Sequence, residues 1–334
     1  MTTLDSEPPL MGARGETSPL PFVSVVIPNW NGAVHLPTCL DSLRRQTYGS
    51  FEVIVVDNGS GDGSLALLAR DYPDVRVVAL ARNLGFAGGV NAGIRQARGE
   101  IIALLNNDTE TDPRWVEEMV AAFQRHPQAG MVAAKILLFE RRDTLHSAGD
   151  FYRQDGIPGN RGVWQQDAPE FNVEEPVFGP CGAAAGYRRE MLDDVGLFEE
   201  RLFAFVEDVD LAWRGQAAGW RCIYAPRSVV YHRLSATGGG VIASYYNGRN
   251  CLIVLARNYP GELLRKYARK IVVAQGRIAF EALKAWRGTA ARARLRGQLA
   301  GLWSLLRVRG ERRLIQARRR VPVAYLDSLL TEVD

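Results

Sequence analysis

The chain has 334 residues, 47% of them hydrophobic and 9% aromatic, enough to bury one large core plus an extension. Its net charge of +4 hides an asymmetry: residues 245–334 carry 19 Lys and Arg against 6 Asp and Glu, which is +13, so the remaining 22 basic and 31 acidic residues leave 1–244 at −9. An acidic body with a basic tail argues against a nucleic-acid binder, whose main domain would be basic, and fits a tail that faces an anionic surface.

Residues 1–21 lack an apolar stretch of the secretory kind and read as a disordered lead-in rich in proline, glycine and charge. No run approaches about 18 uncharged apolar residues, so no membrane span is expected. Cys39, Cys181, Cys222 and Cys251 form no C-x-x-C pair or zinc spacing, and suit small core positions in a reducing cytosol.

Order begins at Phe22. FVSVVIP reads as a β-branched strand stopped by Pro28, with Trp30-Asn31-Gly32 turning into a helix that has Pro37 in its first turn. A second strand, 51–57, ends at Asp57, and NGSGDGS leads into a short helix through Arg70. A third strand is expected over 75–80, then a glycine-rich loop and helix over 82–99. Ile101–Leu105 is continuously apolar and reads as a strand buried on both faces. This βαβαβαβ succession predicts an α/β fold with a mostly parallel sheet and right-handed crossovers.

The fourth strand runs into Asn106, Asn107 and Asp108, with Asp112-Pro113 expected to start a helix. A carboxylate is thus set at the carboxyl end of a central strand, where ligands bind in open α/β sheets. The plainer alternative is that Asn106–Asp108 satisfy turn and cap donors. Asp57 has a similar choice between a base or ribose and an Asx turn with Asn58-Gly59. The first strand is followed by PNWNG and not G-x-G-x-x-G, which rejects the ordinary dinucleotide fold.

In the second half, 178–198 begins with small residues that let backbone approach a ligand, or simply pack tightly, and is expected to continue as a short helix. Within 201–220, Glu207, Asp208 and Asp210 crowd a helix start, favoured by the dipole; the alternative is a well-capped helix with a solvated acidic end. A strand then ends at His232. His35, His126 and His146 have no partner pattern and read as ordinary surface or capping residues. From Gly261 the chain reads as basic amphipathic helix, either a membrane-surface element, a cap on the body or an oligomer face.

Taken together, VSVVIPNWNG, VVDNGSGDGS, NLGFAGGVNAGI and LLNNDTE, in this order and spacing, resemble the family-2 glycosyltransferases of GT-A fold, and most closely the rhamnosyltransferase-like branch of bacterial polysaccharide synthesis. The resemblance covers roughly residues 22–260. It implies inverting transfer of a sugar from a nucleotide diphosphate sugar donor to a glycan or lipid-linked glycan acceptor, assisted by Mn²⁺ or Mg²⁺; thymidine-diphosphate rhamnose is the donor it favours.

By that match Pro28, Trp30, Asn31 and Asp57 line base and ribose, while Asn83, Gly85, Phe86 and Asn91, with Asn107, border the sugar diphosphate. Arg249, in a segment like the family's R-N element, would pair with phosphate. FVEDVDLAWR resembles the family's E-D element, which makes Asp208 the catalytic base beside Glu207. The metal motif departs from the family's D-x-D: only Asp108 is anionic, Asn106 is at most a neutral oxygen donor, and His232 would add an imidazole, better suited to Mn²⁺ than to Mg²⁺. The missing first acid is the best argument for a rival reading, a catalytically silent nucleotide- or glycan-binding protein on the same fold. A nucleotidyltransferase would need a basic glycine-rich loop after the first strand, which is absent. The expected layout is a lead-in at 1–21, a catalytic domain at 22–244 and a basic helical extension at 245–334, cytoplasmic, with a seat on the inner face of the cell membrane open to it.

Overall fold

The computed structural model describes residues 20–234 and 240–333. The lead-in expected at 1–21 lies almost wholly outside them.

The first half comprises β1 (Val23–Asn29), α1 (Leu36–Leu43), β2 (Phe51–Asp57), α2 (Ser64–Asp71), β3 (Arg76–Ala79), α3 (Gly85–Gln96) and β4 (Ile101–Leu105). Then come β5 (Thr109–Thr111), α4 (Trp115–Arg125), β6 (Ala129–Leu138), β7 (Leu145–Ser147), β8 (Asp150–Arg153), β9 (Pro158–Asn160) and β10 (Glu175–Val177). The chain continues through β11 (Ala184–Arg188), α5 (Arg189–Val195), α6 (Glu207–Ala217) and β12 (Arg221–His232). It closes with α7 (Val241–Asn258), α8 (Gly261–Lys266), α9 (Ala268–Lys284), α10 (Thr289–Ser304), α11 (Arg309–Ala317), α12 (Val323–Ser328) and β13 (Leu330–Thr331).

The main sheet runs β10-β12-β6-β11-β4-β1-β2-β3. Its β4-β1-β2-β3 half is parallel, as the alternating strands and helices predict. Side chains alternate across it: Val23, Val25 and Ile27 enter one core and Val26 the other, while Ile101, Ala103 and Leu105 oppose Ile102 and Leu104. A strand buried on both faces has no polar side to show, which is why the sequence of β4 is unbroken apolar.

Several elements differ from expectation. The small-residue run around 184–188 is a strand, β11, antiparallel between β4 and β6, and the helix starts only at Arg189. Small side chains there let β11 lie flat under Met119 and Phe123, which touch the space above Gly186. α4 begins at Trp115 because Asp112 Oδ1 accepts from the Arg114 amide, and β5, an unforeseen strand, occupies Thr109–Thr111 by pairing with β12. The acidic start of α6 is not solvated: Glu207 and Asp210 are buried, Asp210 being paired with Arg214 and Arg257.

The basic tail is anchored to the body. α10 lies so close to α7 that a Cβ on Gly297 would strike the Tyr245 carbonyl and one on Gly301 the Arg249 carbonyl. Tyr259 is buried against Tyr152 and Trp213. The chain end is not helical, since β13 pairs with β8 through Leu330 and Tyr152. The boundary expected at 244/245 falls inside α7.

Candidate active site

Four loops, at the carboxyl ends of β1, β2, β3 and β4, gather beside the head of α6. In-register pairing sets Asn29 opposite Asp57. Asn29 Nδ2 donates to Asp57 Oδ1 at 3.1 Å, and Asn29 Oδ1 accepts from Asn107 Nδ2 at 2.6 Å. The other Asp57 oxygen accepts the Ser60 amide, so this buried carboxylate caps its own loop, one residue further on than the expected Asx turn. Asn31, at φ 52°, accepts from the Gly61 amide and donates its own amide to Ser60 Oγ, which stitches the first two loops together. Trp30 stands out at this rim, 40% exposed beside the half-buried Pro28.

The third loop is braced from within. Asn83 Oδ1 accepts from the Gly85 amide and from Asn58 Nδ2. Gly85 has φ +77° and lies against Phe203, where a side chain would collide. Phe86 packs on the core. The Asn91 side-chain amide donates to the Phe198 carbonyl at 2.9 Å, and its Oδ1 accepts the Phe198 amide at 3.1 Å. Arg249 donates to the Arg201 carbonyl and to Asn250 Oδ1.

The fourth loop gathers the metal-type donors. Pairing of β5 with β12 puts His232 opposite Thr109 and brings His232 Nε2 to 3.1 Å from Asp108 Oδ1. Asn106 Nδ2 is 3.5 Å from the same nitrogen. Among the described residues, the buried Asn106 Oδ1 has no hydrogen-bond partner and the buried Asp108 Oδ1 has only His232 Nε2 beside it, an arrangement that costs free energy unless a ligand completes it. Behind His232 lies His146, stacked at 4.9 Å between ring centroids with its Nδ1 3.0 Å from His232 Nδ1. Burial, and the nearby His232, push His146 down to about 3, so it is neutral at physiological pH. The reading of His146 as a surface or capping residue is therefore corrected.

Asp208 sits at the head of α6, its Oδ2 accepting the Gly182 amide and its Oδ1 the Val209 amide, both at 2.8 Å. A Cβ on Gly182 would stand 3.1 Å from Asp208 Oδ2, so a side chain there would press the carboxylate by a few tenths of an ångström. Burial raises the Asp208 carboxyl above its ordinary value while the amides pull it part of the way back. Glu207 is pushed well up by burial and then by the charge of Asp208, and its Oε2 has no partner among the described residues. A third carboxyl, Asp150, is raised by burial and by Asp208, and accepts from Asn160 Nδ2 at 2.7 Å.

The approach to Asp208 is held under strain. Phe203, Phe205 and Val206 all have φ near +70° (67°, 67° and 70°), which non-glycine residues seldom adopt. Asn250 Nδ2 reaches the carbonyls of Leu202, Ala204 and Phe205 at 2.8–2.9 Å and so fixes this segment. Asn29, His146 and Asp150 had no distinguishing local pattern; each gains its place only through strand pairing.

This strand order, with donors at the β4 end and a carboxylate at the head of α6, is the GT-A arrangement. GalNAc-T7, solved with UDP, GalNAc and Mn²⁺, superimposes with a TM-score of 0.58 over 72% of this chain and 48% of its own, at 17% identity. Residues 24–196 match Glycosyl transferase family 2, and the chain belongs to that family. It is 34% identical over 231 residues to the uncharacterized protein y4gI of Sinorhizobium fredii, covering 66% of this chain but only 25% of that protein. It is 29% identical over 269 residues to the N-acetylglucosaminyl-diphospho-decaprenol L-rhamnosyltransferase of Mycobacterium tuberculosis, covering 73% of this chain and 86% of the relative.

Proposed function

We propose that the chain transfers a sugar, with inversion, from a nucleoside diphosphate donor to an acceptor hydroxyl, using Asp208 as general base. The observation that supports this most is the shared anchoring of the two candidate centres. The Gly182 amide donates to Asp208, and the next residue, Ala183, accepts the Asn106 amide at 2.9 Å. Base and diphosphate-side donors therefore flank one short turn.

An acceptor hydroxyl is a poor nucleophile until a carboxylate removes its proton as the new bond forms. A carboxylate kept more basic than usual, yet fixed by two amides, suits that task. The hydroxyl oxygen attacks the anomeric carbon, the diphosphate leaves from the opposite face, and the proton passes to Asp208. Inversion follows from this single displacement, without a covalent enzyme intermediate.

The donor set fits a divalent cation. Asp108 Oδ1, Asn106 Oδ1 and His232 Nε2 supply one carboxylate, one amide and one imidazole, and among the described residues neither oxygen accepts a hydrogen bond from outside this set. Among the described residues no three His, Cys, Asp or Glu side chains form a metal-type cluster, so diphosphate and water would complete the shell, as Mg²⁺ and Mn²⁺ accept. When bound, such an ion supplies charge neutralisation to the departing diphosphate.

The name of the M. tuberculosis relative supports rhamnose as the sugar, hence dTDP-rhamnose as donor, and a lipid-linked glycan as acceptor. The test is release of free dTDP from dTDP-rhamnose, required to depend on both Mn²⁺ and acceptor. Donor binding with no release under any acceptor would instead favour a silent binding protein.

A further inference from the structure

The outer faces of α9 and α10 carry apolar side chains that no described residue covers. On α10, Leu299, Leu302 and Trp303 recur at helical spacing with Leu306 just beyond, and Trp303 is 84% exposed. On α9, Val273, Phe280 and Leu283 are each more than half exposed, and only Ala282 is buried. The inner face of α10 is fixed to α7 through Ala293, Gly297 and Gly301, so its outward side chains cannot turn inward without unseating the helix.

Charge decides what such a face meets. Arg277 and Lys284 border the α9 stripe, and Arg296 and Arg307 border that of α10. The acids between 263 and 320 are Glu281 and Glu311, and both are paired, Glu281 with Lys284 and Glu311 with Arg201 and Arg257. The face is therefore apolar within a positive field. A second copy of the chain would bring the same positive charge to the same patch, which opposes a self-complementary dimer.

We infer that the outer face of the α9–α10 hairpin docks on an anionic lipid bilayer, with Trp303, Leu299 and Phe280 entering the headgroup boundary and the flanking arginines and lysines meeting lipid phosphates. Interfacial helices of this composition bind by buried apolar area plus attraction to anionic lipid. The seat is also near the site. α10 rests on Tyr245–Arg249 of α7, Tyr246 stacks on Phe203 at 5.1 Å, and Asn250 holds the segment before Asp208. A docked face would leave α10 and α7 between the bilayer and the segment that precedes the candidate base.

Vesicle binding is measured without donor or acceptor, so its failure leaves the transfer reaction untouched. The full chain is floated with phosphatidylcholine vesicles, with and without phosphatidylglycerol. It should rise only with phosphatidylglycerol, and less as salt screens the attraction. Arg296→Glu should lower the partition coefficient by about fivefold or more, given the strength of attraction per basic residue. Trp303→Glu, at a side chain almost wholly in solvent, should lower it at least as much with an unchanged thermal melt. Equal flotation on both vesicle types, or wild-type flotation of Trp303→Glu, overturns the inference. So does a concentration-dependent dimer that Trp303→Glu dissolves, since the face would then belong to a second copy.

Discussion

His146 and His232 stack with their Nδ1 atoms 3.0 Å apart, and burial keeps His146 neutral. Two nitrogens at that distance need one proton between them. With His146 Nδ1 as acceptor, His232 carries its proton on Nδ1 and leaves Nε2 free toward Asp108 and a cation. His146→Phe keeps a ring to stack on but removes the acceptor. It should weaken Mn²⁺-dependent dTDP binding by about 10- to 100-fold, with little change in EDTA. Titration calorimetry in the two conditions checks this; equal losses in both would remove His146 from any metal role.

Asn250 should matter for geometry more than for donor affinity. Asn250→Ala deletes the amide that holds three carbonyls of a segment with three positive-φ residues, so stability should fall by about 1–3 kcal/mol. Turnover should drop while dTDP affinity stays within a few-fold of wild type, because the base is displaced and the diphosphate side is not. A variant with normal turnover would mean that the strained segment holds its shape unaided.

Glu207 gives a prediction with a defined sign. Its folded pKa lies well above its unfolded one, so the folded chain holds the proton more tightly. That contribution is fully present below the unfolded value of about 4.3 and is lost as pH rises through the folded value. Glu207→Gln should therefore be more stable than wild type at pH 8, by about 1 kcal/mol or more, with the gap closing near pH 4. Urea midpoints at the two pH values test it. A variant less stable at pH 8 would show that the Glu207 charge is wanted in the fold.

Much of this was readable in advance, and the exceptions share a cause. β4 was legible because burial on both faces leaves a purely apolar run, and the place of Asp208 at a helix start because crowded acids there are a local pattern, while its part as base rests on the resemblance alone. Asn29 was not, since its role comes from lying beside Asp57 across the β1–β2 register and under Asn107. His146 and Asp150 depend on pairing of β7 with β6 and of β8 with β9, which no short window reveals. Asn91 on α3 and Arg249 on α7 bond to the main chain of Phe198 and Arg201, a matter of side-chain direction that spacing does not specify.

The pH dependence of transfer bears on the base itself. Burial holds the Asp208 carboxyl above the ordinary range, and a base must be ionised, so kcat/KM should rise with pH through that raised value. Its acid limb should therefore lie above about 4, the value of a free aspartate. A profile flat down to pH 4 would place the base elsewhere.

The central claim, that Asp208 takes the acceptor proton, is tested most directly by Asp208→Asn. The Asn oxygen can still accept one of the amides that meet the two Asp208 oxygens, from Gly182 or from Val209, while the other is left to water; a thermal melt within a few degrees of wild type shows that the loop keeps its shape while the proton acceptor is lost. Sugar transfer from dTDP-rhamnose, followed as dTDP released in the presence of Mn²⁺ and acceptor, should fall by about 10²- to 10⁴-fold, with dTDP affinity by calorimetry within a few-fold of wild type. Near wild-type turnover in this variant would contradict the assignment.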